Sequence, residues 1–117
     1  DPMDRSCAVN LGAKRDEKDV EAHGFFNPWW KMLDKGIGTL AYKSQWNLFD
    51  QIIVSGTLLK RNSKSVYYWK SQVNNFDFLI DKQGNRQGYP LRTFSAGQWL
   101  NGYSDHFPTE IFLIKEK

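Results

Sequence analysis

The sequence predicts an α+β domain, with one mixed, mainly antiparallel sheet and helices on one face. Three observations carry that prediction. Apolar runs of strand length recur through the middle and end of the chain, and two Asx-Pro pairs mark helix starts near its beginning. The two kinds of signal mix without regular alternation. The 117 residues fit a single domain that buries roughly two-thirds of the surface its unfolded chain exposes.

Taken in order, Asp1-Pro2 opens a helix: Asp caps, Pro suits the first helical position, Met3, Cys7, Val9 and Leu11 follow, and Gly12 stops it. Residues 13–24, AKRDEKDVEAHG, are highly charged and read as a solvated helix end or a loop. Asn27-Pro28 repeats the start signal, and Trp29, Trp30, Met32 and Leu33 form a short helix closed by Gly36. Strands are then expected at 38–44 and 48–55, joined tightly around Gln45-Trp46; Ile52-Ile53-Val54 reads as a strand covered on both faces. Residues 56–60 suit one helical turn. SVYYWKSQV (65–73) is rich in β-formers, FDFLI (76–80) extends or follows it, and 109–115 closes the chain as an apolar strand. Between them, 81–100 hold three Gly and one Pro and read as a long loop, a kind of segment that tends to carry function.

Composition narrows the class. Aromatic residues make up 15% and include five Trp, so large rings dominate the core and any binding surface. A single cysteine, Cys7, excludes an intramolecular disulfide framework and a thiolate metal site. The formal net charge is +3 and the pI about 9.0, compatible with a phosphate-bearing partner, yet the basic residues are scattered as on any solvated surface. No run of eighteen apolar residues is present to span a membrane. The chain opens DPMDRS and reads as a trimmed piece of something longer; its compartment stays open.

The chemistry centres on GYSDHFP, residues 102–108. A lone loop His is most often solvated, but Pro108 fixes the backbone just before the final strand, and Asp105 adjoins His106. A catalytic imidazole needs a carboxylate to set its tautomer. Adjacent residues of an extended segment point opposite ways, so Asp105 is a poor orienter and a carboxylate on another strand is the better one. Asp50, inside WNLFDQIIVS, is that candidate: burying it without a partner is costly, although a strand-end Asp turned to solvent explains it equally well. Arg92, in the Gly-rich loop, either clamps a phosphate or ties the loop down through backbone carbonyls. Trp99 and Tyr103 either shape a pocket or pack, and His23 reads as structural or solvated.

WNLFDQIIVS followed by GYSDHFPTEIFL resembles the end of the endonuclease/exonuclease/phosphatase superfamily, the DNase I-like fold. Its members commonly carry a strand with an Asp before an apolar run ending in Ser, then close with Ser-Asp-His-x-Pro before the last strand. The likeness is good over residues 36–55 and 88–114 and looser over 1–35. It implies that His106 acts on the scissile phosphate or the attacking water, that Asp50 orients it, and that Asp105 sits at or near a divalent metal, Mg²⁺ or Mn²⁺. It also implies the C-terminal half of a four-layer α/β sandwich. The family's Gly-Asp-Phe-Asn-type segment, metal-binding Glu and second His have no counterpart here, and His23 does not match the missing His.

The expected function is therefore the C-terminal part of a metal-dependent phosphoesterase, acting on an unidentified phosphoester and inactive without its N-terminal half. Alone, it is expected to hide an exposed sheet face by forming a homodimer. The alternative is a stand-alone nucleic-acid-binding module that stacks bases on Tyr67 or Trp69 and loses affinity steeply with salt, without dependence on Mg²⁺ or His106. A decayed site would instead hold His106 and Asp50 out of hydrogen-bonding reach.

Overall fold

The computed structural model of the chain describes residues 12–62 and 64–117. It is built mostly of small antiparallel ladders with little helix, an α+β arrangement. The helix expected over residues 1–12 lies almost wholly outside the described residues. The charged stretch that follows is largely exposed and holds one 3₁₀ turn, Glu17–Asp19.

The helix α1, Trp29–Asp34, forms where its signals stand. The Asn27 side-chain carbonyl accepts a hydrogen bond from the Trp29 N–H at 3.1 Å, satisfying a donor that the first turn leaves unpaired. At the other end Gly36 adopts φ +76°. The Gly36 and Ile37 N–H groups donate back to the Leu33 and Met32 carbonyls at 2.9 and 3.0 Å, the paired closure that a left-handed glycine allows.

Among the described residues, eight strands pair into four two-stranded ladders. β1 (Phe25–Phe26) pairs with β4 (Val54–Ser55), β2 (Leu40–Tyr42) with β3 (Gln45–Asn47), β5 (Tyr67–Val73) with β8 (Thr109–Ile114), and β6 (Phe94–Ser95) with β7 (Gln98–Trp99). Four ladders replace the single sheet that the strand-length runs predict. The run 48–53 shows why. Gln51 donates through Nε2 to the Leu48 carbonyl at 2.8 Å, a local bond that competes with ladder formation, and Leu48 and Ile52 pack onto Trp29 rather than into a sheet. Only Val54 and Ser55 of that segment are strand, and Ile52 and Ile53 are part-exposed rather than covered on both faces.

The first hairpin also turns earlier than expected. Leu40, Ala41 and Tyr42 face Asn47, Trp46 and Gln45, so Gln45 and Trp46 are strand and the turn is Lys43-Ser44, with φ +47° and +66°. Two successive positive φ values make the tight primed turn that hairpin twist favours. The helical turn at 56–60 is present as 3₁₀, Gly56–Leu59. Residues 76–80, expected as strand, instead hold another such turn, Asp77–Leu79, with Ile80 bridged to Pro90. Within the expected loop 81–100, the β6–β7 hairpin turns on Ala96 and Gly97, again both at positive φ.

Trp29 and Leu48, both 0% exposed, are the centre of the core. Trp30, Met32, Leu33, Ile52, Val73 and Ile111 pack around them. The core thus joins α1, the segment after β3, and the β5–β8 ladder, the frame from which the functional loops project.

Candidate functional site

His106 lies between β7 and β8, on a loop held at three places. At its start the loop presses on the backbone of residues 91–92: a Cβ on Gly102 would stand 1.9 Å from the Leu91 carbonyl oxygen, so only glycine permits the approach. Thr93 Oγ1 donates to the Gly102 carbonyl at 2.9 Å on the same side. In the middle, the His106 N–H donates to Ser104 Oγ at 3.1 Å. At the end, the Phe107 N–H donates to the Thr39 carbonyl and the Asn74 N–H to the Pro108 carbonyl, both at 2.8 Å. Phe107 is buried and stacks on Trp46, ring centroids 6.0 Å apart at 19°.

Asp50 stands two residues after the core anchor Leu48. Its Oδ2 stands 2.6 Å from His106 Nδ1 across 56 residues of sequence, with the two side chains 38% and 34% exposed. An ionised carboxylate only accepts, so Nδ1 carries the proton and donates. In the neutral ring the lone pair is then on Nε2, which has no hydrogen-bond partner among the described residues. Phe49 stacks against the imidazole at 6.4 Å and 28°, fixing the ring plane while Asp50 fixes its rotation. The arrangement presents a basic nitrogen of set tautomer and direction, able to take or give a proton or to orient a water.

Asp105 is exposed and forms no ion pair among the described residues. It shares with Arg92 a recess of about 330 Å³ whose other lining residues are Thr93, Phe94, Tyr103 and Ser104. Four predicted residues therefore fall into two pairs, His106 with Asp50 and Arg92 with Asp105, carried by one loop at adjacent positions 105 and 106. Tyr103 lines the recess as expected of a pocket residue; Trp99 packs edge-on against Phe94 instead. His23 is exposed. Among the described residues, no group of three or more His, Cys, Asp or Glu is placed to hold a metal ion. These residues by themselves do not make a divalent-cation site, since Mg²⁺ requires an octahedral set that one carboxylate leaves incomplete.

Tyr67, expected in the alternative reading to stack a base, is 6% exposed, with the Arg61 guanidinium 5.4 Å over its ring. Strand alternation places it inward, and only Trp69, displaced at the β-bulge between Tyr68 and Lys70, faces solvent. Sequence reasoning missed Phe49, Thr39 and Gly102 as parts of the loop's support. The signal for Gly102 was its place at the head of the SDH loop; a backbone carbonyl such as that of Thr39 leaves no signal at all.

A loop imidazole held by a distant carboxylate, beside a recess with an Arg and an Asp, is a donor set suited to hydrolysis at phosphorus. The model of the endonuclease/exonuclease/phosphatase family matches residues 1–115, and the chain belongs to that family. Its members are in general hydrolases of the phosphoesterase and nuclease type and in general depend on a divalent metal. Among curated proteins and among solved structures, no match was found.

Proposed function

We propose that this chain is the C-terminal part of a metal-dependent phosphoesterase that hydrolyses a phosphate mono- or diester by attack of water. The observation that carries the reading is the 2.6 Å contact between His106 Nδ1 and Asp50 Oδ2. His106 is the catalytic residue: through Nε2 it takes a proton from the attacking water or orients it, while Phe49 and Asp50 hold the ring. Asp50 is a positioning residue that also stabilises the imidazolium as it forms. Arg92 binds a non-bridging phosphate oxygen in the recess. Asp105 would give one carboxylate to the Mg²⁺ or Mn²⁺ on which the family in general depends, and the remaining ligands would come from the N-terminal half of a four-layer DNase I-like sandwich. The stand-alone nucleic-acid module has less support, because Tyr67 is buried and Trp69 alone is left as a stacking ring.

The test is phosphatase and nuclease assay with Mg²⁺ on the 117-residue chain and on the longer protein. The chain alone gives little turnover. In the longer protein His106→Ala lowers kcat about 10²- to 10⁴-fold. Asp50→Asn lowers kcat with KM nearly unchanged, and shifts the pH–rate profile. Robust turnover by the chain alone, abolished by His106→Ala, overturns the incompleteness; a longer protein indifferent to His106→Ala overturns the mechanism. We also propose that the isolated chain self-associates through the β5–β8 ladder, where Trp69 and Leu113 are exposed. A monomer by light scattering at high concentration counts against this.

A further inference from the structure

A second recess lies behind Arg92. It measures about 310 Å³, and its polar lining is Lys43, Ser44, Asn85, Arg86, Tyr89 and Arg92. Three of those side chains are cations, no carboxylate joins them, and Arg92 lines both this recess and the one containing Asp105. We infer that the Lys43–Arg86–Arg92 recess is an anion subsite for a second phosphoryl group of the substrate, joined through Arg92 to the recess that contains Asp105. The inference rests on the phosphoesterase reading for the word substrate; the anion site itself stands on its own geometry.

Several details fit a built site rather than a charged surface. The Ser44 N–H donates to the Tyr89 hydroxyl oxygen at 3.0 Å, which leaves the phenolic proton available to an anion. Tyr89 is itself fixed edge-on against Trp46, centroids 5.6 Å apart at 74°. Arg86 is steadied through Nη2, which donates to Ser95 Oγ at 2.5 Å, so its guanidinium meets a ligand with less rotamer freedom to lose. Lys43 and Ser44 occupy left-handed backbone at φ +47° and +66°, where Asn-Gly is at ease and a lysine is strained. The Lys43 ammonium lies 5.4 Å over the Tyr42 ring, which also lines the recess, and so stands at its mouth. Donors converge from the β2–β3 turn and from residues 85–92, and anions with several oxygens are what so many donors satisfy.

A multiply phosphorylated small molecule and a stretch of nucleic-acid backbone share this chemistry, and the experiment separates them. Binding is measured by titration calorimetry with inorganic phosphate, pyrophosphate, an inositol bisphosphate and a short oligothymidylate. Pyrophosphate or one of the two organic probes should bind at least about tenfold tighter than inorganic phosphate, and Arg86→Ala should remove most of that gain. The paired change Lys43→Asn with Ser44→Gly is the diagnostic variant. It should raise the melting temperature while weakening the tighter probe about tenfold, opposite signs that misfolding does not produce. His106→Ala should leave binding intact, so a failed catalytic reading and a failed subsite give different results. Tighter binding of the inositol bisphosphate alone or of the oligothymidylate alone supports the subsite and names its source. Equal losses from the outlying Lys60→Ala and Lys115→Ala variants, or bisphosphates binding no better than phosphate, overturn it.

Discussion

Replacing Gly102 by alanine tests how the SDH loop is held. The added Cβ would stand 1.9 Å from the Leu91 oxygen and 2.5 Å from the Arg92 oxygen, where real Cβ atoms essentially never come within 3.0 Å. Both neighbours are backbone, so no rotamer change relieves the overlap, and the two segments must part by about 1 Å, the difference between those distances. Overpacking of this kind costs about 1–3 kcal/mol. Stretching the Thr93 Oγ1 bond to the Gly102 carbonyl, now 2.9 Å, adds about 0.5–1.5 kcal/mol. The sum, about 1.5–4.5 kcal/mol, lowers the melting temperature of a chain this size by roughly 6–20 °C. Urea denaturation at unchanged m-value measures it. Gly97→Ala is the control: at φ +78° with nothing within 4 Å of its Cβ, it pays only backbone strain of about 1 kcal/mol. Because His106 rides on the displaced loop, a shift of about 1 Å should also cost the proposed phosphoesterase roughly a hundredfold in rate. A Gly102→Ala loss no larger than that of Gly97→Ala would refute the close-approach argument.

Two further outcomes are expected. Trp29→Ala, at the centre of the core and 0% exposed, should cost about 3–5 kcal/mol in the same denaturation experiment; a loss under about 1.5 kcal/mol would mean that the core is centred elsewhere. Burial pushes the half-buried Tyr68 hydroxyl above its ordinary pKa of 10.0, against the opposing effect of its hydrogen bond with Ser71. A raised folded pKa means that the folded form keeps the proton longer, so its contribution is present below pH 10.0 and is lost as pH rises through the folded value. Stability measured from pH 9 to 12 should therefore fall less steeply in Tyr68→Phe than in the parent chain, and parallel curves would exclude the effect.

Local chemistry made much of this readable in advance. Asn27-Pro28 and Gly36 bound α1 because capping needs only the residues at its ends. The terminal strand and the turn after Ser55 announce themselves in the same local way. The Asp50–His106 contact was legible because a motif near the tail asked for a carboxylate that its own neighbour could not supply. Pairing partners were not legible. Lys43-Ser44 carries no Asn or Gly to mark a primed turn, so the hairpin was placed two residues late. The 48–53 run has the composition of a strand, but its apolar side chains find Trp29, and Gln51 spends its amide on the Leu48 carbonyl. The cationic recess was hidden for a related reason: Lys43, Arg86 and Arg92 are scattered along the sequence and meet only once the β2–β3 turn lies against Tyr89.

The β5–β8 ladder works as a clasp. Val73 faces Thr109, and everything in residues 74–108 is strung between those two points, including both recesses' arginines and the imidazole. Closing so long a span is slow, because the chain's wandering must be halted before any contact rewards it. The final strand therefore does more than complete a ribbon. It takes over directly after Pro108, so the loop that aims the imidazole is fixed together by this strand, by the Thr39 carbonyl and by Asp50.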